Sequence, residues 1–114
     1  DYKRIPEVDL NLMNEWFKNS YVEEVINIIN ETYNTTKWRF MRLSSERRAY
    51  SYHKDETKRL HIPLLTNDEC MFIIEKQLYE MNQPGVLYEM DTTQYHTALN
   101  LGWSDRVHMV GAYS

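Results

Sequence analysis

The sequence contains a single cysteine, Cys70, so the chain cannot form an internal disulfide. A lack of disulfides is typical of proteins in a reducing compartment, and we expect a cytoplasmic protein. Long apolar runs are also missing, since no stretch approaches the roughly 20 apolar residues that cross a bilayer. The N-terminal residues do not have the pattern of a signal peptide. The sequence therefore predicts no membrane association.

Basic residues are outnumbered, with 13 Lys and Arg against 17 Asp and Glu, a net charge of -4. The pI of about 5.5 argues against nucleic-acid binding, which normally requires a basic patch. The Arg47–Arg48 pair is preceded by Glu46 and is too small to supply one. Repeats, low-complexity stretches and linkers are missing as well. At 114 residues the chain is long enough for one domain, 1–114.

The first third of the chain has helical patterns. Residues 1–19 end in a cluster of apolar and aromatic side chains that predicts a short helix. Ser20 and Glu23 have the spacing of a capping box, which favours a helix start. Apolar residues then recur at steps of three and four and predict an amphipathic helix from 21 to 33. Its stripe consists of Val22, Val25, Ile26, Ile29 and Tyr33. We interpret 1–36 as the helical part.

After residue 36 the apolar period changes from 3.6 to 2, which is typical of strands. About eight short strands are predicted between residues 38 and 112, one of them over residues 50–53. Turn sequences separate them, including 66–68, 82–85 and 102–105. This pattern predicts a mainly β protein in which residues 37–114 form a double-sheet barrel, with the helices packed on it.

His53 and Asp55 are two residues apart, so in a strand both would project from one face. An imidazole and a carboxylate side by side are two of the three ligands that hold non-haem Fe(II). His96, on a later strand, could supply the third. Each has an ordinary alternative: a surface loop for the pair, and a hydrogen-bonded polar residue for His96.

Arg106 opens the final predicted strand, and inside a barrel its charge would require an anion such as a dicarboxylate. The alternative is an outward side chain paired with Asp105. Arg59 and His61 share one face of a strand and would line a cavity, or else face water. The opposite face of that strand is apolar and is expected in the core; it consists of Leu60, Ile62 and Leu64.

This set of residues resembles the aspartyl/asparaginyl β-hydroxylase family. The similarity covers 38–112 and depends on the motifs His53-Lys54-Asp55, Arg59-Leu60-His61-Ile62-Pro63-Leu64-Leu65-Thr66-Asn67, Gly85, His96, Asn100 and Asp105-Arg106-Val107-His108. The resemblance implies a double-stranded β-helix of the jelly-roll or cupin-like type. It also implies that His53, Asp55 and His96 hold Fe(II), and that Arg106 binds the distal carboxylate of 2-oxoglutarate. Arg59 and His61 would lie near this cosubstrate.

The resemblance predicts hydroxylation of an sp3 carbon in an amino acid, a peptide side chain or a similar small polar molecule. The expected partner is therefore a small-molecule or peptide substrate, without nucleic acid or membrane. Two alternatives remain at this stage: a catalytically silent cupin-like module that binds a small carboxylate, and a structural or regulatory domain. Neither the substrate nor the oligomeric state follows from the sequence.

Overall fold

The structure, a computed structural model, describes residues 21–114. In this range the chain forms the helix α1 and then seven strands. The elements are α1 (Tyr21–Ile29), β1 (Thr35–Leu43), β2 (Lys58–Leu65), β3 (Cys70–Ile74), β4 (Gln77–Tyr79), β5 (Tyr88–Met90), β6 (His96–Asn100) and β7 (Arg106–Tyr113). The short helix predicted within 1–19 and the Ser20 end of the capping box lie outside the described residues.

The strands form two antiparallel sheets, one with the order β1-β7-β2-β5 and one with the order β4-β3-β6. Two isolated bridges, Ala49 to Leu99 and His53 to His96, add a fragmentary neighbour to the free side of β6. The prediction of a mainly β, double-sheet barrel with helical structure before it is confirmed. Residues 50–53 differ from the prediction, because His53 alone among them forms a bridge, to His96.

The four-stranded sheet is covered on its two faces by different apolar groups. On the outer face, α1 packs against buried residues of the strands: Phe40, Leu60, Ile62 and Met109. On the inner face, a second core fills the space between the sheets and includes Leu43, Phe72, Met90 and Ala98. The helix is not long and apolar enough to cross a membrane.

Two further details of the prediction are wrong. The helix ends at Ile29 rather than at residue 33, because residues 30–32 form a turn. In that turn the Asn30 side chain accepts a hydrogen bond from the Thr35 backbone N–H, at 3.2 Å, and directs the chain into β1. Leu64 was expected in the core but is 44% exposed, since it lies near the end of β2, beyond the buried part of that strand.

Candidate metal centre

Backbone pairing brings His53 and His96 together. The N–H of His53 donates to the carbonyl of His96 at 3.0 Å, and the N–H of His96 donates back to the carbonyl of His53 at 2.8 Å. Directly paired antiparallel residues project their side chains from the same face. The two imidazole rings accordingly lie 4.5 Å apart between centroids.

The Nδ1 atom of each imidazole makes a hydrogen bond that fixes the orientation of the ring. Nδ1 of His53 lies 2.7 Å from the carbonyl of Ser51, and Nδ1 of His96 lies 2.8 Å from the carbonyl of Gln94. Because a carbonyl only accepts, Nδ1 must carry the hydrogen in both rings. In the neutral ring the lone pair is then on Nε2, as a metal-binding histidine requires.

Asp55 completes the cluster. Its backbone N–H donates to the Thr92 carbonyl at 2.8 Å, which holds the loop against the β6 side of the barrel. Its carboxylate oxygens lie 3.6 Å from Nε2 of His53 and 3.5 Å from Nε2 of His96. The Arg59 guanidinium flanks the same carboxylate, with Nε 3.8 Å from an oxygen.

The three ligand atoms of this cluster all lie within 4.8 Å of one another. Two imidazole lone pairs and a carboxylate that converge on one point are all electron-pair donors, so a cation is the natural partner for them. The set of two histidines and one carboxylate is the facial arrangement typical of non-haem ferrous iron. The donor set therefore fits the metal that the resemblance implies.

His96 is the most enclosed of the three residues, with 1% of its surface exposed. Burial lowers the pKa of His96 below its ordinary value, which favours the neutral, ligating form at neutral pH. The Phe72 ring stacks on the imidazole, with centroids 5.5 Å apart and planes 15° from parallel. Phe72 thus covers one face of His96 and limits its rotation.

Arg106 is inside the barrel, with 3% of its surface exposed, so the outward alternative is wrong. Asp105 does not pair with it in the way that alternative required, and instead one Asp105 oxygen accepts a hydrogen bond from the Ser45 N–H at 3.1 Å. The Arg106 guanidinium carbon lies 5.8 Å from the centre of the Tyr50 ring. A buried guanidinium is suited to bidentate binding of a carboxylate.

Arg59 and His61 point to the inner side of the four-stranded sheet but have different neighbours. Arg59 lies beside Asp55 and also donates from its Nη1 to the Thr57 hydroxyl. His61, 4% exposed, lies beside His108, with 3.1 Å between the two Nδ1 atoms. The alternative of a water-facing strand is therefore wrong, and the expectation that the two side chains line a ligand cavity stays a prediction.

His108 has no predicted role from the sequence, although it shares a strand face with Arg106 by the i, i+2 rule, which could have identified it. It is 1% exposed, and its Nε2 is buried without a hydrogen-bond partner among residues 21–114. Buried N–H groups are nearly always paired in proteins. Nε2 of His108 and the Arg106 guanidinium therefore form a buried polar region in the interior of the barrel.

The comparisons with known proteins agree with this architecture. A family model described as aspartyl/asparaginyl beta-hydroxylase matches residues 17–112. No curated protein matches the chain in sequence.

Solved structures with the same fold are distant in sequence. A cupin domain from Bordetella pertussis Tohama I has a TM-score of 0.58 at 13% identity, over 71% of this chain and 83% of that one. A predicted oxalate decarboxylase from Thermotoga maritima has a TM-score of 0.55 at 18% identity, over 80% and 71%. A protein from Shewanella frigidimarina that contains a cupin-2 domain has a TM-score of 0.53 at 11% identity, over 85% and 96%. At these identities the likeness establishes the fold.

Proposed function

The chain belongs to the aspartyl/asparaginyl beta-hydroxylase family, and we propose that it is an oxygenase that depends on ferrous iron and 2-oxoglutarate. The observation that supports this most directly is the convergence of His53, Asp55 and His96 on one point. The reaction would hydroxylate an sp3 carbon of an amino acid, a peptide side chain or a similar small polar molecule.

His53, Asp55 and His96 would hold the iron, which supplies the activation of dioxygen when it is bound. In the overall reaction one oxygen atom enters the substrate as a hydroxyl group, while 2-oxoglutarate is oxidised to succinate and carbon dioxide. The protein's own residues contribute by orienting the imidazole ligands of the metal. The hydrogen bonds from Nδ1 to the carbonyls of Ser51 and Gln94 aim both Nε2 atoms at the metal position.

The distal carboxylate of the cosubstrate, the end away from the metal, would be bound by Arg106, because a carboxylate inside the barrel needs a cation as its partner. Phe72 lies between the two parts of the site: its ring contacts the rings of both His96 and His61. An apolar ring in this position would keep water out of the space between metal and anion sites.

A cleft beside the strands that carry His96 and Arg59 would give the substrate access to the site. It has a volume of about 910 Å³ and is lined by residues 74–81, 88–91 and 94. Ile74 at its wall is the ladder partner of His96, and Met90 is the partner of Arg59. A volume of this size is typical of sites for small ligands. The lining combines apolar side chains with charged and amide side chains, among them Glu75, Lys76 and Gln94, which could bind the polar groups of a substrate.

Succinate release tests this proposal. Protein loaded with Fe(II) would be supplied with 2-oxoglutarate, oxygen and a panel of free amino acids and short peptides. We expect succinate from wild type, an increase with the correct substrate, and a hydroxylated product by mass spectrometry. A matched His96→Ala protein should release none. Tight binding of 2-oxoglutarate by wild type without any succinate would instead identify a silent carboxylate-binding module.

A further inference from the structure

A buried polar cluster of three residues lies on the inner face of the four-stranded sheet: Arg106, His108 and His61. His108 is its centre, because its Nδ1 lies 3.0 Å from Nη2 of Arg106 and 3.1 Å from Nδ1 of His61. The strand register produces this contact. His61 pairs with Val110 of β7, two residues from His108, so both imidazoles project from one face.

The hydrogen bonds within this cluster assign the hydrogens. A guanidinium can only donate, so Nδ1 of His108 must accept the hydrogen bond from Arg106 and carries a lone pair. The single hydrogen of the neutral His108 ring is then on Nε2. A lone pair on Nδ1 of His61 would face the lone pair of His108 at 3.1 Å and repel it. His61 must therefore donate from Nδ1, which leaves its own lone pair on Nε2.

Neither ring is charged in this arrangement. Burial, and then the charge of Arg106, hold the pKa of His108 and the pKa of His61 well below the ordinary value for histidine. A charged His108 would present an N–H to the guanidinium and break the contact. The neutral state of both rings therefore agrees with the hydrogen-bond geometry.

We propose that His108 is a positioning residue of the anion site: it fixes the guanidinium of Arg106 and selects the Nδ1–H form of His61. An arginine side chain has many rotamers, and an acceptor 3.0 Å from Nη2 favours the one in which the guanidinium stays inside the barrel. The consequence for cosubstrate binding rests on the proposed function. The assignment of the hydrogens does not, because it follows from protein atoms alone.

Nuclear magnetic resonance tests the assignment without metal or cosubstrate. Long-range ¹H–¹⁵N correlation of the imidazoles in the intact chain distinguishes hydrogen on Nδ1 from hydrogen on Nε2. We expect His61 in the Nδ1–H form and His108 in the Nε2–H form in wild type. In His108→Phe the acceptor for His61 is gone, so the His61 ring should no longer be entirely in the Nδ1–H form. His61 in the Nε2–H form in wild type would overturn the proposal.

Cosubstrate binding tests the positioning. The probes are 2-oxoglutarate and pyruvate, a 2-oxo acid without a distal carboxylate, each titrated anaerobically into Fe(II)-loaded protein. His108→Phe keeps a ring but has no acceptor, so it should weaken 2-oxoglutarate binding by about 10-fold, the effect of losing one hydrogen bond to a charged group. Pyruvate and Fe(II) binding should not change. His108→Asn, whose Oδ1 can replace Nδ1 as acceptor, should recover most of the 2-oxoglutarate affinity.

The outcomes separate this proposal from the proposed function. If wild type binds neither Fe(II) nor 2-oxoglutarate, the oxygenase proposal fails, while the imidazole spectra of the metal-free protein still decide the assignment. If His108→Phe binds 2-oxoglutarate as tightly as wild type, or if His108→Asn is no better than His108→Phe, the positioning role is wrong. Should His108→Phe fail to fold, the wild-type spectra and His108→Asn still decide the question.

Discussion

His53 and His96 are a directly paired couple of the barrel, joined by two backbone hydrogen bonds of 3.0 and 2.8 Å. This pairing places two imidazoles on one face although the residues are far apart in the chain. The centre is therefore built on backbone hydrogen bonds before any metal contributes. Such preorganisation lowers the conformational cost of binding an ion.

The buried histidines predict that stability falls in acid. The pKa of His61 and the pKa of His108 are held well below the ordinary value of about 6.5, mainly by burial and then by Arg106. Between the folded pKa and about 6.5 the unfolded chain binds more protons, so the free energy of unfolding decreases as pH falls through this window. The slope is at most about 1.4 kcal/mol per pH unit for each histidine.

Urea unfolding at about pH 7.5, 6.5 and 5.5 measures this effect. The His108→Phe variant removes one of the two groups and should show a flatter dependence than wild type. Parallel curves for the two proteins would show that His108 does not titrate between the folded and unfolded states in this window.

Asn100 is predicted to stabilise the fold rather than to act in the reaction. It is fully buried and makes four hydrogen bonds that fasten the turn before β7. Its Nδ2 donates to the carbonyls of Leu43 and Ser104, and its Oδ1 accepts from Gly102 N–H and Asn67 Nδ2. Removing the side chain leaves buried partners unsatisfied, so Asn100→Ala should cost about 2–4 kcal/mol.

Equilibrium unfolding in urea measures the loss for Asn100→Ala, with Lys76→Ala as the control because Lys76 is exposed. The control should change the free energy of unfolding by less than about 0.5 kcal/mol. A comparably small change in Asn100→Ala would mean that the turn does not depend on this side chain.

Arg106 is predicted to determine cosubstrate affinity without affecting iron. Arg106→Met removes two charged hydrogen bonds to the distal carboxylate, together worth about 3–6 kcal/mol, so 2-oxoglutarate affinity should fall by roughly 100- to 10,000-fold. Fe(II) affinity should stay within about twofold of wild type. Calorimetry under anaerobic conditions measures both, with the exposed Arg47→Met as the matched control. If Arg106→Met retained wild-type affinity, the anion site would have to be elsewhere, with Arg59 the next candidate.

Much of the fold could be predicted because the signals are local. The change of apolar period after residue 36 identifies the strands, and the 82–85 turn is marked by its Pro84–Gly85 pair. Gly85 has a φ of 80°, which favours glycine, and the Val86 N–H donates to the Gln83 carbonyl across the turn. Leu64 was placed wrongly, because alternation alone does not show where along a strand the core ends.

The candidate site could be predicted only in part. The i, i+2 rule placed His53 and Asp55 close together, but residues 50–53 do not form a continuous strand, and the bridge to His96 supplies the geometry. The role of His108 depends on the register between β2 and β7, which is a relation between distant residues. Local sequence patterns place His108 on the same strand face as Arg106, but they do not show its contact with His61.

The most direct test is Fe(II) binding by wild type and His96→Ala under anaerobic conditions, measured by calorimetry. Removing one of three ligands should weaken binding by at least about 100-fold, more than the loss of an outer-shell partner. Tyr95→Ala is the matched control, since that neighbouring side chain is 45% exposed, and it should bind iron like wild type. Equal Fe(II) affinity in wild type and His96→Ala would contradict the assignment of His53, Asp55 and His96 as the metal centre.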